Sequence, residues 1–313
     1  MAATAVLVDV GLVVVAVVAL WGGAAQFVAG ASRLARLIGL SELVIGLTVV
    51  AFGTSAPEFA VTIDAALAAS TDISVGNVVG SNILNLGFVL GGAALIRAMP
   101  ASRELIQRDA VVLVGSTVLV FLLLGDLQVS RLEGLTLVVL LAGYLFVLAR
   151  SGADRRPEET ETGAVPFRPL DLVRLVGGLA VVVAGAHLLV TSASDLARVA
   201  GLSEWVIGLT VVALGTSTPE LATSLVAARR GQSGLSAGNI VGSCVFNFLG
   251  VLGVAAALTP LPVTASAIDS MWWVLVIAVV VAFLFWSRNV LSRREGGLLV
   301  GLNTANWVLN LLV

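Results

Sequence analysis

Two glutamates, Glu58 and Glu220, sit in the middle of long apolar stretches. Each closes a near-identical hexapeptide, GTSAPE from Gly53 and GTSTPE from Gly215, in which the acid follows a proline and hydroxyl residues. A carboxylate at the centre of a bilayer costs about 2.5–3.5 kcal/mol on insertion scales, so acids placed there point to ion or proton chemistry. Thr54, Ser55 and Glu58 fall within one helical turn, since spacings of three and four share a face. Pro57 has no N–H, so the Gly53 carbonyl loses its helical partner, and the carbonyls from Ala51 to Gly53 are expected to open into the bundle interior. Pro219 builds the mirror image from Ala213, Thr216, Ser217 and Glu220. Ser81 with Asn85, and Ser243 with Asn247, are each four apart and share a face, while Gly76, Gly80, Gly238 and Gly242 keep those faces slim. Carboxylates, amides, hydroxyls and carbonyls form an all-oxygen donor set. Hard cations want such a set, Ca²⁺ taking about six to eight oxygens, and two anionic glutamates balance one divalent ion or two monovalent ones.

The elements that must hold these residues are membrane spans. Of 313 residues, 58% are hydrophobic and 12% charged, and the mean hydropathy is +1.07, which excludes an ordinary soluble domain. A net charge of −2 gives no footprint for nucleic acid, and the lone Cys244 excludes a disulfide framework. With about 20 apolar residues per span, ten spans are expected at 5–31, 41–69, 73–96, 109–125, 132–149, 170–197, 203–228, 235–258, 269–287 and 296–313. The first is too long and lacks the basic flank of a signal peptide. The polar stretch SGADRRPEETETGAVPFRP (151–169) reads as a cytoplasmic linker between a first five-helix repeat (1–150) and a second (170–313). All 17 basic residues are Arg, and alternating the loops places 15 on one side and only Arg131 and Arg198 on the other. By the positive-inside rule the Arg-rich side is cytoplasmic, with both termini outside a multi-pass plasma-membrane protein.

The halves align without a gap at an offset of 162: residues 39–58 match 201–220 at 17 of 20 positions, and 76–91 match 238–253 at 9 of 16. Five spans per copy is an odd number, so the second copy enters the membrane from the opposite side. The expected fold is therefore all-α, ten transmembrane helices as two inverted five-helix repeats. Inverted repeats with broken helices meeting at the midplane are the layout of many secondary transporters.

GTSAPE with GNVVGSNILN, and GTSTPE with GNIVGSCVFN, resemble the two alpha-repeats of the cation/calcium exchanger superfamily, closest to its prokaryotic Na⁺/Ca²⁺ exchangers. The resemblance implies electrogenic antiport of Na⁺ against Ca²⁺ by alternating access, normally Ca²⁺ export driven by Na⁺ entry, with the first and sixth spans sliding across a fixed core. Carried onto matching positions, it makes Glu58 and Glu220 central ligands for both ions. Thr54, Ser55, Ser81, Thr216, Ser217 and Ser243, with the carbonyls of Ala51 and Ala213, complete the sites, and Asn85 and Asn247 close the ring. Many prokaryotic members carry Asp where this chain has Asn247, which bears on stoichiometry and on H⁺ or K⁺ coupling; Cys244 stands where Asn82 stands in the first repeat.

H⁺/Ca²⁺ exchange and K⁺-dependent exchange are the alternatives within transport. An intramembrane hydrolase would need a nucleophile with a base, a zinc-binding H-E-x-x-H or paired aspartates, none of which the sequence offers. A passive channel has no need of inverted broken helices around paired acids. No enzyme chemistry, cofactor, nucleic acid or obligate protein partner is expected, only Ca²⁺, Na⁺ and lipid. His187 is expected to pack in the bundle, Asp64 to meet water, and Trp205, Trp272, Trp273, Trp286 and Trp307 to anchor span ends at the interface.

Overall fold

The computed structural model describes residues 2–153, 168–201 and 213–312. Most of the expected linker, residues 203–212 of the expected seventh span and with them Trp205 lie outside the described residues. The first repeat comprises α1 (Ala2–Ile38), α2 (Glu42–Thr54), α3 (Ala56–Leu67), α4 (Thr71–Ile96), α5 (Leu105–Asp126) and α6 (Arg131–Ala153). The second comprises α7 (Pro169–Val199), α8 (Ala213–Thr216), α9 (Thr218–Arg229), α10 (Ser233–Leu258), α11 (Ser266–Arg288) and α12 (Arg293–Leu312). Among the described residues, seven helices are long and apolar enough to cross a membrane, and α2 with α3, bent by 47°, makes an eighth. The helix α1 is longer than the apolar run predicts, because its last turns carry Arg33 and Arg36 beyond the hydrophobic segment. Large apolar side chains on its outer face, such as Leu7 and Val18, are exposed as lipid-facing residues must be.

The repeat is written into the backbone. The described residues with positive φ are Gly39, Ala69, Leu127, Gly201, Gly231 and Asn289, and they form three pairs separated by 162. Two-residue strands repeat at the same spacing: β1 (Met99–Pro100) with β3 (Leu261–Pro262), and β2 (Gln128–Val129) with β4 (Val290–Leu291). Each strand pairs across the repeats, β1 antiparallel to β4 and β2 antiparallel to β3, so two small ribbons join the halves. The helices after β2 and β4 open with equivalent capping boxes. Glu133 accepts from the Ser130 N–H at 2.7 Å and Glu295 from the Ser292 N–H at 2.7 Å, while each serine hydroxyl accepts from its glutamate N–H.

At the centre lie α4 and α10, the most buried of the spans. The first repeat's α2 packs against the second repeat's α10 almost backbone to backbone. A Cβ at Gly46 would stand 2.6 Å from the Leu235 carbonyl oxygen, and one at Gly242 2.7 Å from the Leu47 Cα. Gly238 opposes Leu43 in the same seam, so the slim face predicted for α10 is used as expected. The pair α1 and α7 is built the same way, with Gly30 against Leu175 and Gly178 against the Phe27 backbone. Phe246 of α10 packs on Phe52, ahead of the α2–α3 bend, and on Phe59, beyond it.

Two expectations about side chains need correction. His187 is exposed on α7 rather than packed in the bundle, since its position turns away from α1. Trp273 does not act merely as an interfacial anchor; its Nε1–H donates to Asn303 Oδ1 at 3.1 Å, satisfying an amide otherwise buried against Gly87.

Candidate functional site

The two bends are the same local structure. Ser55 (φ −80°, ψ 7°) and Ser217 (φ −85°, ψ 3°) break their helices, and a proline then occupies the first turn of α3 and of α9. This places Glu58 and Glu220 in the first turns beyond the breaks, where unpaired N–H groups and the helix dipole favour negative charge. The opening of backbone begins one residue later than expected, since helical bonding stops at the Ala51 carbonyl and resumes with the Phe59 N–H donating to the Ser55 carbonyl at 3.0 Å. The Ala51 carbonyl keeps its helical bond from the Ser55 N–H at 3.0 Å and retains one lone pair, towards which Thr54 Oγ1 lies at 3.4 Å. Ala213 begins α8 at the equivalent position.

Glu58 and Glu220 are fully buried, and each is reached by the serine that breaks the other's helix. Each binds serines from both repeats through one oxygen. Glu58 Oε1 accepts from Ser81 at 3.5 Å and from Ser217 of the other repeat at 3.3 Å. Glu220 Oε1 accepts from Ser243 at 3.4 Å and from Ser55 of the other repeat at 3.0 Å. The second oxygen of each carboxylate has no hydrogen-bond partner, and neither has any side-chain N or O of the buried Asn85 and Asn247. A buried polar group left unmatched costs about 1–3 kcal/mol. Two carboxylate oxygens and two whole amides in that condition leave donor and acceptor capacity open at one place in the core. Asn85 and Asn247 each open a short π-helical turn, Asn85–Val89 and Asn247–Leu252, the local widening often found at functional positions. Cys244, next in sequence to the Ser243 that binds Glu220, is a free, buried thiol.

Thr54 and Thr216 reach a second pair of asparagines that the sequence reading did not single out. Thr54 Oγ1 bonds to Asn239 Oδ1 at 3.1 Å, and Thr216 Oγ1 to Asn77 Oδ1 at 3.4 Å. Asn77 Nδ2 donates to the Glu58 carbonyl at 3.3 Å and to Thr62 Oγ1 at 2.9 Å. Asn239 Nδ2 donates to the Glu220 carbonyl at 3.5 Å and to Ser224 Oγ at 2.9 Å. These amides are spent on the protein, whereas those of Asn85 and Asn247 are not. One asparagine pair braces the glutamate-bearing turns, and the other keeps its buried amides unpartnered. The signal was present as the G-N dipeptide repeated at Gly76–Asn77 and Gly238–Asn239.

All twelve residues named from sequence therefore belong to two symmetric bends and the faces opposite them, and the hydrogen bonds knit the bends together across the repeats. A cation here would meet carboxylate, hydroxyl, amide and carbonyl oxygens, with no imidazole. Among the described residues no group of three or more His, Cys, Asp or Glu gathers elsewhere as a metal site.

The profile of the sodium/calcium exchanger protein family matches residues 8–150 and 170–309. The chain belongs to the sodium/calcium exchanger family. It is a multi-pass membrane protein of a family of antiporters rather than enzymes. The chain is 37% identical to the putative antiporter CaxA of Alkalimonas amylolytica over 299 residues, covering 92% of this chain and 94% of that one. It is 31% identical to the sodium/calcium exchanger MaX1 of Methanosarcina acetivorans, covering 89% and 91%. The solved structure of the sodium-calcium exchanger NCX_Mj soaked with 10 mM Na⁺ and 10 mM Sr²⁺ superposes with a TM-score of 0.86 at 32% identity, covering 97% of this chain and 98% of that one.

Proposed function

We propose that this exchanger moves Ca²⁺ out of the cell against entering Na⁺, both ions using one site between Glu58 and Glu220. The observation that carries the reading is the pair of inward carboxylate oxygens and unspent Asn85 and Asn247 amides, ringed by Ser55, Ser81, Ser217 and Ser243. One Ca²⁺ neutralises both carboxylates, as do two Na⁺, so occupancy by either alternates without leaving buried charge. Beside the carboxylates, Thr54 Oγ1 lies near the Val50 carbonyl at 3.1 Å, the Ala51 carbonyl and Asn239 Oδ1, a neutral oxygen cluster suited to a monovalent ion. Thr216, Ala213 and Asn77 supply its counterpart. A Na⁺ held at neutral oxygens carries charge beyond what the carboxylates cancel, which makes the exchange electrogenic. Na⁺ is favoured over H⁺ as the coupling ion because a proton needs only the carboxylates and leaves the duplicated hydroxyl-carbonyl clusters without a role.

Ten crossings in two inverted halves fit the contacts between loops. Gln232, after α9, donates to Ser32 near the end of α1 and to Glu42 at the start of α2, Arg33 pairs with Asp171 at the start of α7, and β1 pairs with β4. These segments belong to the Arg-rich set. Thr71 and Asp72 contact Pro262 and Thr264, and β2 pairs with β3, all in the opposite set. We assign the Arg-rich set to the cytoplasm.

The test is radiocalcium uptake into proteoliposomes loaded with Na⁺ and diluted into Na⁺-free buffer, with imposed pH or K⁺ gradients as separate arms. Uptake that requires the outward Na⁺ gradient and rises with an inside-positive potential is expected. Uptake driven by the pH gradient alone would replace Na⁺ by H⁺ and remove the threonine clusters from the ion path.

A further inference from the structure

On the Arg-rich side an open cavity of about 530 Å³ lies where α1, α7 and the turn between α9 and α10 meet. Its lining carries five arginines, Arg33 and Arg36 from α1, Arg168 and Arg174 from the start of α7, and Arg230 from the turn, against a single described carboxylate, Asp171. Asp171 is already engaged: Arg33 Nε lies 3.4 Å away, Arg174 Nη1 4.0 Å, and the Arg168 N–H donates to it at 3.2 Å. Among the described residues, Asp171 is the one carboxylate facing these guanidiniums, so the described lining is strongly positive. Arg36, Arg168 and Arg230 remain exposed. Arg230 is held in place by donating to the Ala25 carbonyl at 2.7 Å, so its charge is presented from a fixed position.

The helix α7, which contributes Leu170 to the lining, carries further exposed apolar side chains. Leu172, Val173 and Val176 further along this flank are all more than half exposed. A phosphate group satisfies the guanidiniums through charge-assisted, bidentate hydrogen bonds. A soluble phosphate leaves the flank uncovered, whereas a phospholipid covers both parts at once. Basic recesses between membrane helices at the cytoplasmic surface suit anionic headgroups for this reason.

We propose that the cavity binds the phosphate headgroup of an anionic phospholipid, with its acyl chains along the exposed flank of α7. The bound headgroup ties the α1–α7 pair to the α9–α10 turn, and so restrains movement of that pair relative to the site-bearing helices. The proposal stands apart from the choice of coupling ion, because it concerns a surface recess and is read by binding alone.

The experiment uses the full chain purified in a neutral detergent and native mass spectrometry of retained lipid, titrating phosphatidylglycerol, phosphatidylcholine or inorganic phosphate. Phosphatidylglycerol retention well above that of phosphatidylcholine is expected, with inorganic phosphate at equal concentration failing to displace it. Arg36→Gln/Arg174→Gln is expected to weaken retention about tenfold or more, taking each surface arginine at its usual worth towards anionic lipid. Arg36→Lys/Arg174→Lys should retain the lipid, which separates charge from damage to the fold. Arg288→Gln/Arg294→Gln removes the same charge from the same side outside the cavity and should change little. Equal loss in the two glutamine pairs, equal loss in the lysine pair, indifference to headgroup charge, or displacement by inorganic phosphate would each overturn the assignment. So would lipid retained only after Glu158, Glu159 and Glu161 are changed to Gln, since the chain's own acidic stretch would then be the occupant.

Discussion

At the scale of single residues, the site divides into groups that hold one another and groups that hold nothing. Glu58 and Glu220 do both, giving one oxygen to serines of both repeats and keeping the other unpaired. Glu58→Gln keeps the shape and a hydrogen-bonding oxygen but removes half the anionic charge, and Glu220→Gln does the same from the other repeat. Either is expected to abolish Ca²⁺ uptake while leaving a monodisperse, folded protein, because removing buried like charge relieves repulsion rather than adding strain. Uptake retained in either variant would sink the assignment. Asn77→Ala acts differently: it strips partners from Thr62 Oγ1, the Glu58 carbonyl and Thr216. A stability loss of about 2–4 kcal/mol is expected from the orphaned groups, measured as a lower thermal midpoint in detergent. The Na⁺ concentration for half-maximal exchange should also rise several-fold as Thr216 loosens. Asn85→Ala, by contrast, should leave the midpoint unchanged or higher, since its amide has no protein partner to lose. Sequence alone singled out Asn85 and Asn247 and passed over Asn77 and Asn239, which stand in the same repeated motifs. Both pairs are duplicated amides on apolar helices, and only the direction of each amide says which is brace and which is ligand.

At the scale of elements, the bends were legible because proline chemistry is local. Pro57 and Pro219 must break a helix, and the breaks fall at Ser55 and Ser217. The ribbons were not legible, since two-residue strands carry no periodicity and depend on which loops the fold brings together. The left-handed residues preceding β2 and β4 show the same limit. Asn289 adopts φ 53° and its equivalent Leu127 φ 63°, yet nothing in the leucine announces it. Asparagine tolerates this region through its short polar side chain, whereas a branched apolar residue bears a cost of about 1–2 kcal/mol. Leu127 is also 39% exposed, so its side chain contributes little packing to offset that strain. Leu127→Asn is therefore expected to raise the thermal midpoint, by up to about 1 kcal/mol of stability, without changing transport. A fall in the midpoint would mean that lipid contact by the leucine outweighs the backbone strain.

At the scale of the whole molecule, the repeat is the clearest feature of the sequence, and inversion is the arrangement we propose from it. An ungapped offset of 162 survives into backbone angles, strand pairing and the hydrogen bonds of the site. Five crossings per copy then require equivalent loops to emerge on opposite faces, although their local structures match. Arg103 and its equivalent Ala265 are both exposed, as are Asp126 and its equivalent Arg288. On a Cys244→Ala background, each can be replaced singly by cysteine and tested with a membrane-impermeant thiol reagent on intact cells. Ala265→Cys and Asp126→Cys are expected to label from outside, and Arg103→Cys and Arg288→Cys only after the membrane is opened. Labelling of both members of an equivalent pair from one side would remove the inversion, and with it the physical reason that one buried site can face each side of the membrane in turn. The fully reversed pattern would keep the inversion and place the arginines outside, against the bias that sets topology in most membrane proteins.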